Sequence, residues 1–325
     1  MAALKKLRLK LSLIPFAISA VASAQNPESN YPTRPVTVVV VVTPGGSAET
    51  QSRVYTPKLS ENLGRPVVFD FKPGAGGTIG YTFVSKAAPD GHTLLAGSNA
   101  FSTVPALMKL QYDPIKDFAP VALLGRQDGM LVVNPSLPIR NVKEYIAYAK
   151  ANPGSLNWGT SGSGSTAHLT GAWLNELTNT ETTFVHYKGS QLVSDLVSGR
   201  IQVTGGAFIN VSPLVKSGKL RAIGMASSSR SPAFPDVPTM REQGLEWDYP
   251  SWLGFIAPAG TPIPIITRLN SELAKIQKLP ETQSALEKLG VTSLSGSPAD
   301  FGRHLSEEIG RWKRLVENTG IKIEE

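Results

Sequence analysis

The stretch VTVVVVVTPGGSAE, residues 36–49, decides the fold. Val36 to Val42 is an almost unbroken β-branched run, the pattern of a parallel strand buried on both faces. It stops at Thr43-Pro44-Gly45-Gly46, and Ser47 or Ala48 opens a helix that runs to about Asn62, with Gly64 as its stop signal. Strand, glycine turn and helix repeat at once. Val67 to Phe71 is a strand, Pro73-Gly74-Ala75-Gly76-Gly77 a tight turn, Thr78 to Ala88 a helix and Thr93 to Gly97 a strand. This is the βαβ rhythm of a doubly wound sheet.

The rhythm restarts further along. Ala119 to Leu124 and Met130 to Val133 read as strands, and Val142 to Ala151 as an amphipathic helix. Asn157 to Thr160 leads as a short strand into Ser161-Gly162-Ser163-Gly164-Ser165 and a helix through His168 to about Leu177. Strands follow at Thr183 to His186, Ile201 to Gly205 and Leu220 to Ala226, and Gly189 precedes a helix that runs to Val197. Ser227 to Tyr249, rich in Pro and Ser, reads as a connector. A strand at Trp252 to Ala257 and helices at Ile265 to Gln277, Glu281 to Leu289 and Pro298 to about Asn318 complete the chain. The pattern predicts an α/β protein of two lobes, the first built from 31–127 with 228–325 and the second from 128–227.

Ahead of this lies a leader. Lys5, Lys6, Arg8 and Lys10 precede an apolar run from Leu11 to Val21, and Ala22-Ser23-Ala24 is a small-residue cleavage site. That is the layout of a secretory signal peptide over 1–24, too short in its apolar part for a membrane span. The expected location is therefore extracytoplasmic. The chain's charge of +7 falls to +3 once the four leader cations are set aside, and the remaining Lys and Arg are scattered, which argues against a nucleic-acid partner. There is no cysteine, so thiolate catalysis and the usual structural zinc sites are excluded, while roughly 300 residues can bury a core without disulfides.

Three glycine turns stand at the ends of predicted strands: Pro44 to Ser47, Gly74 to Gly77 and Thr160 to Thr166. Glycines let successive amides converge on an anion, and a following helix adds its free N–H groups and positive end. In open α/β sheets ligands bind at such strand ends. Nucleotide and hydrolase motifs fail on particular residues. No Lys follows a turn as a P-loop needs, Ile79 stands where a dinucleotide fold needs its third glycine, and Gly159-Thr160-Ser161-Gly162 is followed by Ser163 rather than completing a nucleophile elbow. The histidines are His92, His168, His186 and His304, without metal-ligand spacing, so neither a metal nor a cofactor is expected. A secreted serine hydrolase using Ser161 and His168 is the rival reading, and no carboxylate presents itself to orient the histidine.

These residues together resemble the Bug-type solute receptors of tripartite tricarboxylate transporters. The matching stretches are Tyr31-Pro-Thr-Arg-Pro35, Pro44-Gly-Gly46, Arg53, Leu63-Gly-Arg-Pro-Val67 and Pro73-Gly-Ala-Gly-Gly77. They continue with Ala87-Ala-Pro-Asp-Gly91, Tyr112-Asp113-Pro114, Asp117-Phe-Ala-Pro120 and Val133-Asn-Pro-Ser-Leu137, then Ser161-Gly162 with His168. Tyr187-Lys188-Gly189, Gly218-Lys-Leu-Arg221, Pro235-Asp-Val-Pro-Thr239 and Ala257-Pro-Ala-Gly-Thr-Pro262 complete the set.

The resemblance implies a type II periplasmic-binding-protein fold with a ligand cleft between two α/β lobes. It also implies that the chain is no enzyme, and that it hands a small carboxylate to the large and small membrane subunits of a transporter. A monomer is expected, and a sensory role is the alternative to transport. The resemblance places the ligand's carboxylate between the loops Pro44 to Ser47 and Ser161 to His168, and the candidate site residues are Pro44, Gly45, Gly46, Ser47, Glu49, Gly76, Asn99, Phe101, Thr160, Ser161, Gly162, Ser165, Thr166, His168, Tyr187, Lys188 and Phe208. Members commonly carry Asp where this chain has Glu49, and Phe-Asp-Asn where it has Phe208-Ile209-Asn210. Ile209 has no charge for a ligand amine. With Phe101, Trp158 and Phe208 as a candidate wall, the expected ligand is an aromatic or otherwise apolar carboxylate.

Overall fold

The computed structural model describes residues 30–187, 191–231, 233–249 and 251–321, at 206–210 by backbone alone. The leader read at 1–24 lies outside the described residues. The chain opens with β1 (Val36–Val40), α1 (Ser47–Leu63), β2 (Val67–Phe71), α2 (Thr78–Ser85), β3 (Thr93–Ser98), α3 (Asn99–Leu107) and β4 (Phe118–Gln127). It continues with β5 (Gly129–Val133), α4 (Val142–Ala151), β6 (Asn157–Thr160), α5 (Thr166–Thr178) and β7 (Thr183–His186). Next come α6 (Gln191–Ser198), β8 (Val203–Ala207), α7 (Phe208–Lys216) and β9 (Arg221–Ala226). The last elements are β10 (Ser251–Pro258), α8 (Ile263–Gln277), α9 (Pro280–Lys288), β11 (Val291–Ser293) and α10 (Pro298–Thr319).

The strands form two sheets, ordered β11-β4-β10-β3-β1-β2 and β7-β6-β8-β5-β9. The β-branched run of β1 is explained by burial on both faces. Val36, Val38 and Val40 pack with Tyr55 and Leu59 of α1 and Leu269 and Leu273 of α8. Val39 and Val41 pack on the other face with Tyr81, Phe101 and Phe118. The strand itself ends two residues before the valine run does.

The register places the loops. In the first sheet β1 runs parallel to β2 and β3, so their carboxyl ends share one edge. β10 is antiparallel to β3 with Leu253 opposite Ser98, and β4 is antiparallel to β10 with Gln127 opposite Ser251. Hence β4 ends and β10 begins at that same edge. In the second sheet β6 runs parallel to β7 and β8, and Gly129 of β5 lies opposite both Ala207 of β8 and Ala226 of β9. Both connections between the sheets therefore join the carboxyl edge of one parallel set to that of the other. Asp128 alone separates β4 from β5, so the two edges face each other.

Arg126 ties these crossings together. Its Nε lies 3.2 Å from Asp128 Oδ1 on the first, and its Nη1 donates to Ser228 Oγ (3.3 Å) at the start of the second. Burial pushes the Asp128 carboxyl above its usual range, and Arg126 pulls it back. The stretch read as a connector, 227–249, is packed rather than loose. Thr239 bridges Met225, and Trp247 is fully buried with Nε1 donating to Thr170 O (2.9 Å).

Helix α10 bridges both cores. It is opened by Pro298 and a reciprocal cap between Ser297 and Asp300, then sends Phe301 and Leu305 into the first-sheet core and Trp312 and Leu315 into the second. The sequence pattern does not give α3, α7 or β11. Pro105 and Pro213 lie inside α3 and α7, where proline argues against a helix, and β11 is only three residues long.

Candidate ligand-binding site

The first loop runs from Thr43 to Gly46. Gly45 has φ +89 and the space around an added Cβ is open, so glycine is required by the backbone and not by crowding. Its N–H donates to Glu49 Oε2 (2.7 Å), while Arg53 Nε donates to Glu49 Oε1 (2.7 Å). Glu49 is 5% exposed and closes the loop from within. The Gly45 amide is thus occupied by the chain's own carboxylate, and Gly46 N–H turns back to Thr43 O (3.3 Å). Ser47 Oγ accepts from Gln51 Nε2 (2.7 Å). Pro44 has no N–H to offer. The donors left by this geometry are the Ser47, Ala48 and Glu49 amides, which as first-turn positions of α1 have no acceptor within the helix.

The Gly45 N–H, aided by Arg53, holds the Glu49 carboxyl below the usual glutamate range. A depressed folded-state pKa contributes stability that is complete above the unfolded value and lost as pH falls through the folded one. Glu49→Gln should therefore melt lower than the parent protein at pH 7. The gap should close as pH drops below the ordinary glutamate value of about 4.3. Paired thermal melts across that range check this, and a gap independent of pH would remove the assigned role.

The second loop is built the same way. Gly162 has φ +125 with open space around an added Cβ. Its N–H donates to Thr160 Oγ1 (3.3 Å), and Gly164 N–H donates to His168 Nδ1 (3.0 Å). Ser165 caps α5 by accepting from His168 N (3.3 Å). His168 is 7% exposed and braces the loop. With Nδ1 accepting, its ring proton is on Nε2. The amides left are again those of the first turn, Thr166 and Ala167, with Ser161 ahead of them in the loop. In both halves the glycines shape the turn and the helix start supplies the donors.

The remaining expected residues divide. Asn99 opens α3 and its Oδ1 accepts from Trp252 N (2.8 Å), clamping β3 to β10 at the facing edge. Gly76 stands in the turn after β2, on that same edge, against Val104 of α3. The Tyr187 hydroxyl donates to Asp195 Oδ2 (2.9 Å), itself paired with Arg200, which ties it to α6. Lys188 lies outside the described residues, as does the side chain of Phe208.

Phe101 is corrected from ligand wall to core. It is 0% exposed, edge-on to Phe118 and Tyr81 with ring centroids 5.0 and 5.3 Å away. Trp158 is equally buried, with Nε1 donating to Ala167 O (2.9 Å). Both belong inside because a large apolar ring on a sheet face or packed helix gains most from full burial.

The sequence reading placed His186 at the end of a strand and left it out of the candidate site, although it stands beside the second loop. It ends β7 in register with Thr160, is exposed, and has Nδ1 2.6 Å from Thr160 Oγ1. The signal that could have found it is a histidine closing the strand that pairs beside the serine–glycine loop. Among the described residues no group of three or more His, Asp or Glu could hold a metal ion, and no helix is long and apolar enough to cross a membrane.

Two α/β sheets joined twice at their carboxyl edges, each with a glycine loop and a helix start at that edge, have the architecture of a binding protein of the periplasmic type. The chain belongs to the receptors of the tripartite tricarboxylate transporter family, the Bug-type solute-binding proteins, whose description it matches over residues 52–321. These are receptors and not enzymes. The chain is 34% identical over 313 residues to protein BugT of Bordetella pertussis, covering 95% of this chain and 96% of BugT. Its fold is similar to that of an R. palustris protein solved with adipate, at TM-score 0.81 and 34% identity, covering 90% of this chain and 100% of that one. It is also similar to MatC from Rhodopseudomonas palustris with bound malate, at TM-score 0.77 and 35% identity over 88% of this chain and 100% of that one.

Proposed function

We propose that this chain is an extracytoplasmic receptor that captures a small carboxylate by closure of two lobes, 31–127 with 228–325 against 128–227, and delivers it to the membrane subunits of a tripartite transporter. The observation that carries the reading is the pair of first-turn amide sets, Ser47 with Ala48 and Thr166 with Ala167, at edges that Asp128 alone separates in the chain. A carboxylate has two oxygens and about four acceptor sites, enough to engage both sets at once. Contacts to both are complete only when the halves approach, so the ligand favours the closed state by that difference.

Each charge-assisted hydrogen bond contributes about 1.5 to 3 kcal/mol net. Four of them contribute about 6 to 12 kcal/mol before association costs, so micromolar affinity, about −8 kcal/mol, is the upper end of what they supply without further contacts. The adipate and malate found in the similar structures support a carboxylate as ligand. The leader over 1–24 supports export to the periplasm, and a monomer suffices because one chain supplies both edges.

A thermal-shift series with malate, succinate, adipate, nicotinate and benzoate, followed by small-angle scattering with and without the best acid, tests the reading. A raised melting point together with a smaller radius of gyration is expected. Stabilisation by none of these acids, or binding without compaction, would count against it.

A further inference from the structure

The two crossings between the sheets carry a charge cluster that the binding loops do not use. Asp128 is the one residue between β4 and β5. Asp248 lies at the end of the second crossing, where the chain leaves Trp247 and Tyr249 in the second-sheet core for β10 of the first. Each crossing thus places a carboxyl group between the sheets. Asp128 Oδ1 and Asp248 Oδ1 are buried, and among the described residues neither accepts a hydrogen bond. Asp128 Oδ1 has ion-pair contact with Arg126 Nε at 3.2 Å.

Charges face the pair from every element packed on it. Arg126 of β4 faces both carboxyls, while Arg311 of α10 and Arg241 face Asp248, with Glu246 as a further anion. Arg311 Nη1 donates to Asp248 O (2.9 Å), and its Nη2 donates to Glu308. Glu308 is 3% exposed and also accepts from Trp312 Nε1 (3.2 Å). Glu307 and Arg314 add their charges at Arg311. His304 of α10 packs edge-on to Trp252 of β10, and burial, then Arg311, holds its imidazole below the usual histidine range. Burial keeps Asp248, like Asp128, above the usual aspartate range despite the nearby cations, and Asp248 adds to the rise at Asp128.

We propose that Asp128 and Asp248 form a proton-binding pair at the crossings, and that closure of the lobes on a solute takes up a proton there from solvent. The inference rests on the receptor reading and adds a regulation to it. A buried carboxylate without a hydrogen-bond donor is costly, and taking a proton removes its charge. Asp128 keeps 15% side-chain exposure, so water still reaches it, and drawing the sheets together removes that water. Closure therefore favours the protonated pair. By linkage, a receptor that takes up a proton on closing binds its solute more tightly as pH falls. Neither carboxyl touches the solute; both are positioning residues that act through the closing equilibrium.

Calorimetry of malate binding in buffers of different ionisation enthalpy counts the protons exchanged. At about pH 6 the parent protein should take up more than Asp128→Asn or Asp248→Asn, by up to about one proton. Malate's own protonation is common to all three and cancels. The ratio of parent to Asp248→Asn affinity should rise about threefold or more from about pH 7.5 to about pH 5.5. The parent protein alone gives a second reading that does not depend on the variants folding. In carbon-13 spectra of aspartate-labelled protein, two carboxyl resonances should titrate above the ordinary value of about 3.9 and move higher with malate bound. Equal proton counts in parent and variants, a proton released rather than taken up, or aspartate titrations that malate leaves in place overturn the proposal and leave the receptor reading intact. A protein that binds none of malate, succinate and adipate overturns both.

Discussion

Gly162→Val is expected to give a folded protein that binds its carboxylate at least about a hundredfold more weakly, a loss near 2.7 kcal/mol. The position has φ +125, and an added Cβ meets nothing within 4 Å. No clash arises, so the whole effect is conformational. A β-branched residue at that φ is strained, and the loop relieves the strain by rethreading between Thr160 and Ser165. The Thr166 and Ala167 amides then leave their aim, forfeiting one or two charge-assisted bonds. Gly154→Val is the matched control. Gly154 also has positive φ (+70) and open space, but it turns the chain from α4 into the amino end of β6, away from the facing edges. It should lower the melting point without touching affinity. Calorimetry and melting curves on both variants separate the two effects, and normal binding by Gly162→Val would remove the loop from the site.

Phe101→Ala is expected to destabilise the protein by about 3 to 5 kcal/mol, the usual cost of emptying a large buried aromatic site. Phe101 fills the first-sheet core between Tyr81 and Phe118, under Val39 and Val41. Affinity measured on the folded protein should hardly change, because the ring has no exposed surface to offer a solute. Trp158 differs in an instructive way. Its Nε1 holds the Ala167 carbonyl in the first turn of α5, so Trp158→Phe should weaken binding as well as stability. Urea unfolding with parallel titrations distinguishes the cases. A Phe101→Ala protein that stays stable but loses its ligand would restore that ring to the binding wall.

The fold was legible because β1 and the glycine turns are local signals. An unbroken valine run specifies a strand buried on both faces, and Gly45, Gly64 and Gly162 mark chain reversals with positive φ. What stayed hidden was decided by contacts distant in sequence. Helices α3 and α7 each carry an internal proline, and α3 is held by packing and by the Asn99–Trp252 bond. The 227–249 stretch has the composition of a loop, yet Trp247 and Tyr249 are buried by the second sheet.

At the site, residue types announced the two loops but not the use of each atom. Local spacing alone cannot say that Glu49 would fill the Gly45 amide, nor that His168 would take Gly164's. Two of the three rings expected to form an aromatic wall, Phe101 and Trp158, lie in the core, because large apolar rings gain more from core burial than from lining a cleft.

The most direct test is a crystal structure of the mature protein with malate bound. The account predicts one malate carboxylate within hydrogen-bond distance, about 2.7 to 3.2 Å, of first-turn amides from both α1 and α5, with the sheets drawn together around it. Malate gripped by arginine or lysine side chains, or resting on one sheet alone with the other helix start empty, would contradict it.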